Sequence, residues 1–170
     1  LPKNFKIAGL GDSKQLSRED REEQAARIKG AAKYAIIEVD VAEIDRHNIL
    51  WATMLGMERA AAELGEAVAI YIDGDRVPNE LRGRAEAVVK GDGKVACIAA
   101  ASILAKTHRD ALMRDLGAQY PQYGFESHFG YSTPEHFEDH SFPMPTRIDG
   151  IRGAQSELRF EEITPRPAVR

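Results

Sequence analysis

The sequence contains a single cysteine, Cys97, and no long hydrophobic run. One cysteine excludes a disulfide framework and a zinc site built from cysteines, and it fits a reducing compartment. The longest apolar run, residues 95–105, is well short of the roughly 20 residues that a membrane-spanning helix requires. We therefore expect no membrane insertion and a cytoplasmic protein. Because the chain starts at Leu1 and not at methionine, the sequence does not exclude a targeting segment that has been removed.

Positive charge is also scarce, since 23 Lys and Arg residues stand against 27 Asp and Glu residues, which gives a formal net charge of −4. No overall positive field draws this chain to nucleic acid, so any such binding has to come from local basic groups. The acidic balance does not exclude a metal-dependent enzyme. With 170 residues, 43% of them hydrophobic, the chain is long enough for one domain with a sizeable core.

The sequence does contain an alternation of helix and strand patterns. Ser17 is placed to cap a surface helix, and apolar residues at helical spacing predict a long helix over residues 41–65 with a break near Asn48. Alternating or continuous apolar runs predict strands over residues 34–41, 67–74 and 85–91, the second buried on both faces. A helix over about residues 94–116 follows, then a loop, then a short helix from Thr133. This order predicts an α/β layer fold.

Two aspartates stand out in this arrangement. Asp110 falls on the same helical stripe as Ile98, Ile103 and Met113, so it is expected to point to the buried side of its helix. Asp73 ends a predicted strand, at the sheet edge where open α/β folds bind ligands. Clustered carboxylates require protonation or a bound cation, and a hard cation such as magnesium suits oxygen ligands. Two simpler interpretations stay open: Asp110 paired with Lys106 at i, i+4, and Asp73 as a turn residue.

Five ordered motifs resemble those of bacterial ribonuclease HII over about residues 7–136. They are GLGDSKQLS, EIDRHNILWATMLGM, IDGDRVP, VVKGDGKVACIAAASILAKTHRD and YGFESHFGYSTPEH. The resemblance implies a ribonuclease H-like mixed sheet flanked by helices, with a catalytic domain at residues 1–142 and a divergent segment at 143–170. It also implies an endoribonuclease that cleaves the RNA strand of RNA–DNA hybrids and single ribonucleotides embedded in duplex DNA. A monomer is expected for the complete protein.

The same resemblance assigns individual residues. Two of the family's four acidic metal ligands match Asp73 and Asp110, which implies two-metal-ion phosphodiester hydrolysis with Mg²⁺ or Mn²⁺. Tyr131 matches the tyrosine that packs on the ribose, where the 2′-hydroxyl distinguishes RNA from DNA. Ser13 and Lys14 match a segment near the nucleic-acid backbone, and Lys90 is a further candidate for substrate binding.

The sequence departs from the family pattern in three places. The family's Asp-Glu-Ala-Gly-Arg-Gly segment, which carries the other two carboxylates, does not precede residues 7–14, so we expect a chain that lacks N-terminal strands and half of the metal site. Asp75 and Phe129 stand where the family usually has asparagine and lysine. The chain diverges from about Pro143 onward. The alternative function is therefore a catalytically inactive remnant that binds nucleic acid.

Overall fold

The computed structural model describes residues 1, 5, 16–67 and 69–129. These residues belong to two compact units, one formed by Leu1–Glu38 and Thr53–His108 and the other by Val39–Ala52 and Arg109–Arg170. The predicted domain boundary at residues 142 and 143 lies outside the described residues and stays a prediction. No helix in the described part of the chain is both long and apolar enough to cross a membrane.

The helices follow the sequence signals closely. Helix α1, Arg18–Ala31, begins after Ser17, whose hydroxyl accepts a hydrogen bond from the Asp20 backbone N–H at 3.1 Å. Helix α2, Val41–Leu64, is interrupted at Asn48, where φ is 62° and ψ is 164°. Helix α3 spans Ala96–Gln119, and the short α4 spans Phe125–His128. The predicted helix from Thr133 lies outside the described residues.

Two strands pair in parallel, β1 at Ile70–Asp73 and β2 at Ala85–Val88. Ile70 is in register with Ala85 and Asp73 with Val88, so both strands end at the same edge. The prediction that β1 is buried on both faces is wrong, because Ile72 is buried while Tyr71 is 40% exposed. A 3₁₀ turn at Gly91–Gly93 packs against β1 and leads into α3.

The predicted strand over residues 34–41 is also wrong. Residues 34–40 form no strand, and Val41 already begins α2. A strand exists only where a neighbouring backbone satisfies its hydrogen bonds, and no strand in the described residues pairs with this segment. The side-chain pattern of residues 34–41 does not tell whether such a partner strand exists. The α/β class nevertheless stands, since a parallel strand pair and long helices make up the described chain.

Each unit has its own hydrophobic cluster. The cluster of the first unit joins α1 to α3 and consists of Ala25, Ile28, Ala99, Ala100, Ile103 and Leu104. The small alanine side chains allow the two helices to approach closely. The cluster of the second unit consists of Met113, Tyr123 and Phe125, with Leu116, Tyr120 and Phe129 packed against it. Helix α3 therefore contributes residues to both clusters.

Candidate active site

Asp73 is the last residue of β1, and its side chain is held by the turn that follows β2. The Gly91 backbone N–H donates a hydrogen bond of 2.8 Å to Oδ1 of Asp73. A carboxylate has two oxygens, and the second, Oδ2, accepts no hydrogen bond from any described residue. The side chain thus has one oxygen fixed to the backbone and one oxygen available to a ligand.

Gly91 leaves little room for a side chain at this position. It is buried, and a Cβ atom placed there would lie 2.5 Å from Cδ1 of Ile98 and 3.3 Å from Oδ1 of Asp73. Its carbonyl accepts hydrogen bonds from the N–H groups of Lys94 at 3.0 Å and Val95 at 2.8 Å. Gly91 therefore links the end of β1 to the start of α3.

Lys90, the predicted substrate-binding lysine of this turn, is exposed and precedes Gly91 directly. Its backbone is left-handed, with φ 55° and ψ 46°. A residue with a Cβ adopts this conformation rarely, because its Cβ crowds the following carbonyl. The turn thus displays an exposed cation from a strained backbone, next to the predicted metal ligand Asp73.

Asp110 lies within α3 and is 6% exposed, which confirms the burial predicted from the helical stripe. Burial of a carboxylate is costly unless the charge is compensated by hydrogen bonds, an ion pair or a metal. Helix α3 holds Asp110 rigidly because Met113, one turn further on, is part of the second unit's hydrophobic cluster. Asp110 is thus a fixed, buried acidic group.

The residue before Asp110 binds the backbone at the end of α4. Nη2 of Arg109 donates a hydrogen bond of 2.7 Å to the carbonyl oxygen of Phe129. The ring of Phe129 packs against the second unit's hydrophobic cluster, which gives this position a packing role. His128 is buried as well, and its Nε2 lies 2.8 Å from the carbonyl oxygen of Tyr123.

Not every predicted site residue falls within the described chain. Ser13, Lys14 and Tyr131 lie outside the described residues. Asp73 belongs to the first compact unit and Asp110 to the second, so their convergence on one metal site stays a prediction. The structure does bring Asp73 and Lys90 together, since Asp73 binds the backbone N–H that follows Lys90.

Sequence reasoning missed two contacts in the first unit. It did not anticipate the Gly91 hydrogen bond to Asp73, although a glycine directly after Lys90 and shortly before α3 was a signal for a close backbone approach. It also missed the pair between Glu38 and His108, whose Oε1 and Nε2 atoms are 2.7 Å apart. This pair attaches the segment before α2 to α3, and no sequence spacing indicates a contact across 70 positions.

The donor types at Asp73 and Asp110 fit a hard divalent cation, because carboxylate oxygens are the ligands that magnesium and manganese prefer. Within the described ranges, however, no group of three or more His, Cys, Asp and Glu side chains is placed to hold a metal ion. The described chain thus offers suitable ligands, and it does not by itself assemble a full set.

Comparison with known proteins identifies the family. Residues 2–142 match the family model of ribonuclease HII. A ribonuclease HII of Dechloromonas aromatica is 56% identical over 133 residues, which cover 77% of this chain and 67% of that protein. A ribonuclease HII of Thiobacillus denitrificans is 54% identical over 132 residues, covering 76% and 64%.

A ribonuclease HII of Xanthomonas campestris is 51% identical over 137 residues, which cover 79% of this chain and 57% of that protein. The chain thus spans 57–67% of the length of these three relatives. The enzyme class predicted from the motifs, a ribonuclease H hydrolase, is the class of these relatives. A family model that matches most of the residues, together with identities above one half, shows that the chain belongs to the ribonuclease HII family.

Proposed function

We propose that this protein is an endoribonuclease that cleaves the RNA strand of RNA–DNA hybrids and single ribonucleotides embedded in duplex DNA. The family match over residues 2–142 carries this proposal. In it, Asp73 and Asp110 are ligands of Mg²⁺ or Mn²⁺, and Tyr131 packs on the ribose of the ribonucleotide. Ser13, Lys14 and Lys90 contact the nucleic-acid backbone.

The described geometry supports the roles of the two aspartates. Asp73 stands where β1 ends, with Oδ1 bound to the Gly91 N–H and Oδ2 available to a cation. Asp110 is buried on a helix that is anchored by the second unit's cluster. Both carboxylates are thus held on rigid elements, as a metal ligand requires if it is to keep its geometry during a reaction.

The residues of this chain would bind and orient the substrate around that site. When bound, a divalent cation supplies Lewis-acid activation of the phosphate and lowers the pKa of a coordinated water. The exposed side chain of Lys90, on the turn that Asp73 holds, supports a contact with a backbone phosphate. Arg109 donates a hydrogen bond to the carbonyl oxygen of Phe129, which stands two positions before Tyr131 in the sequence.

The test is metal-dependent cleavage of a duplex that contains one ribonucleotide. In a fusion that supplies the N-terminal portion of the Dechloromonas aromatica relative, Asp73→Asn and Asp110→Asn should each abolish cleavage with Mg²⁺ or Mn²⁺ and leave duplex binding largely intact, because each removes a metal-binding charge with little change in shape. The matched control variants are Asp75→Asn, on the exposed turn after β1, and Asp115→Asn, on the exposed side of α3. Retained cleavage by Asp73→Asn would rule out its ligand role.

A second function, nucleic-acid binding without catalysis, is favoured by one observation. The described residues contain no cluster of three or more metal-binding side chains. The 170-residue chain should therefore be compared with a fusion in which it follows the N-terminal portion of the Dechloromonas aromatica relative. We expect the chain alone to show little or no cleavage and the fusion to be active. Equal rates would show that residues 1–170 hold a complete catalytic site.

A further inference from the structure

The left-handed backbone of Lys90 needs a cause outside Lys90 itself. With φ 55° and ψ 46°, it is one of three non-glycine residues with positive φ in the described chain, beside Asn48 and Phe129. Such a conformation persists where the surrounding structure determines it, and it often occurs at functional sites. The lysine side chain does not favour this conformation, since lysine has neither the flexibility of glycine nor the short polar side chain of asparagine.

The neighbouring peptide group supplies that cause. The peptide that joins Lys90 to Gly91 donates its N–H to Oδ1 of Asp73 at 2.8 Å. On the other side of Gly91, its carbonyl accepts the N–H groups of Lys94 and Val95. Because both peptide groups around Gly91 are bonded, the chain direction at Lys90 is set by Asp73 and by the start of α3.

The lysines of the first unit differ in what their ammonium groups do. Nζ of Lys94 donates to the carbonyl oxygen of Val89 at 2.7 Å, and Nζ of Lys33 donates to the carbonyl oxygen of Leu64 at 2.7 Å. The ammonium group of Lys90 forms no hydrogen bond and no ion pair with any described residue; only its backbone carbonyl is bonded, to the Gly93 N–H at 3.4 Å. Its ammonium group is therefore the cation of this turn that stays available for an external anion.

We propose that Asp73 is, besides a metal ligand, the positioning residue for Lys90. Through the Gly91 N–H, its Oδ1 holds the left-handed turn that presents Lys90 to one phosphate of the substrate backbone. The inference rests on the proposed function in one respect, that the ligand is a nucleic-acid duplex. It assigns the two oxygens of Asp73 different tasks: Oδ1 orients the turn, and Oδ2 would be available to hold a cation.

The two tasks separate in a binding experiment with EDTA, where no divalent cation takes part. The probe is a DNA duplex with one embedded ribonucleotide, and affinity is measured as a function of salt. One phosphate contact contributes about 0.9 to the slope of log K against log salt. Loss of that contact should therefore change the affinity ratio of variant to wild type by about 3.5-fold between about 50 and 200 mM salt.

Lys90→Gln should lower the slope by about one contact, and Asp73→Ala should lower it equally, because alanine has no acceptor for the Gly91 N–H. Asp73→Asn should keep the wild-type slope, since its amide oxygen replaces Oδ1 as the acceptor. Lys29→Gln, on α1, is the control with the same change in net charge. If Asp73→Ala does not fold, Asp73→Ser replaces it, because its hydroxyl is one atom too short to reach the Gly91 N–H.

The outcomes distinguish the inference from the proposed function. A lower slope for Lys90→Gln together with a wild-type slope for Asp73→Ala would overturn the positioning role and leave the phosphate contact in place. An unchanged slope for Lys90→Gln, or no duplex affinity of the wild-type chain, would overturn the phosphate contact of Lys90 and the positioning role of Asp73 together. Amide hydrogen exchange at Gly91 gives a readout without nucleic acid: protection should be lost in Asp73→Ala and kept in Asp73→Asn. Equal protection in the two variants contradicts the inference.

Discussion

At the scale of single residues, Gly91 is the position where one added methyl group should have a large effect. Its Cβ would meet Cδ1 of Ile98 at 2.5 Å, inside the packed turn between β2 and α3. Gly91→Ala should lower the free energy of unfolding by about 1–3 kcal/mol, the usual cost of overpacking. Chemical denaturation measures this change.

The matched control for this prediction is Gly30→Ala on α1, where an added Cβ meets nothing within 4 Å. Alanine should stabilise that helix by up to about 1 kcal/mol. Ile98→Val removes the Cδ1 atom, so the double variant Gly91→Ala with Ile98→Val should be less destabilised than the sum of the single changes. Strict additivity would show that the clash with Ile98 is not the cause.

A second prediction at the scale of single residues concerns Phe129. Its ring packs against the second unit's hydrophobic cluster, at a position with φ 50° where the resemblance to the family led us to expect lysine. Phe129→Lys should lower the free energy of unfolding by about 1–2 kcal/mol, because a partly buried aromatic ring is lost. It should also steepen the salt dependence of duplex binding by about one contact if lysine there reaches a phosphate.

Phe129→Leu is the control for that variant, since it keeps an apolar side chain and adds no charge. It should keep the salt dependence of the wild type and lose less stability than Phe129→Lys. Thermal unfolding and duplex titration give the two readouts. Equal stability of Phe129→Lys and wild type would mean that the ring contributes nothing to the cluster.

Single residues also show where sequence reasoning reached its limit. The burial of Asp110 followed from a helical period, and the position of Asp73 at a strand end followed from an apolar run, because both are local patterns. The hydrogen bond between Asp73 and Gly91 spans 18 positions and depends on how β1 meets the turn after β2. The ligand roles of both aspartates rest on family resemblance and stay predictions.

At the scale of elements, the interruption of α2 at Asn48 is the capped start of a second helical stretch. Oδ1 of Asn48 accepts the backbone N–H groups of Leu50 at 3.0 Å and Trp51 at 3.3 Å, so it caps the second part of the helix. Asparagine also tolerates the positive φ of 62° at this position. One residue thus ends one helical stretch and begins the next.

Asn48→Ala should therefore cost more than the loss of a simple cap. Alanine removes the capping oxygen, worth about 1 kcal/mol, and with it the local hydrogen bonds that help asparagine to tolerate this positive φ. Asn48→Gly keeps the backbone conformation and should cost less. Ser17→Ala, at the cap of α1, is the reference for cap loss alone. Urea denaturation ranks the three variants, and equal losses for Asn48→Ala and Ser17→Ala would contradict the strain argument.

The elements were predicted best where the sequence signal lies within the element itself. The caps and apolar spacing predicted α1, α2 with its break, and α3 within a few residues, because a helix satisfies its own hydrogen bonds. The segment at residues 34–41 has β-branched residues, and it is not a strand because strand formation depends on a partner elsewhere in the chain. Sequence pattern gives the tendency of such a segment, and pairing decides its structure.

At the scale of the whole molecule, the described sheet is small for a parallel arrangement. It has two strands, whereas parallel sheets are usually buried on both faces by helices and further strands. In the described chain β1 has the exposed Tyr71, and Val89, directly after β2, is 55% exposed. Each strand also has one edge that pairs with no described strand. Such edges and apolar side chains favour association with other chains.

We therefore expect the 170-residue chain to self-associate and to bind an apolar dye. Trp51 is 49% exposed and Leu50 is 40% exposed, which adds an apolar stretch in the second unit. Light scattering across a concentration series and dye fluorescence should both exceed those of the fusion with the Dechloromonas aromatica segment, because the segment would supply strands to the open edges. Trp51→Gln should reduce dye binding with little change in stability, since its side chain is half exposed. A chain that stays monomeric and binds no dye would show that residues 1–170 already cover their own edges.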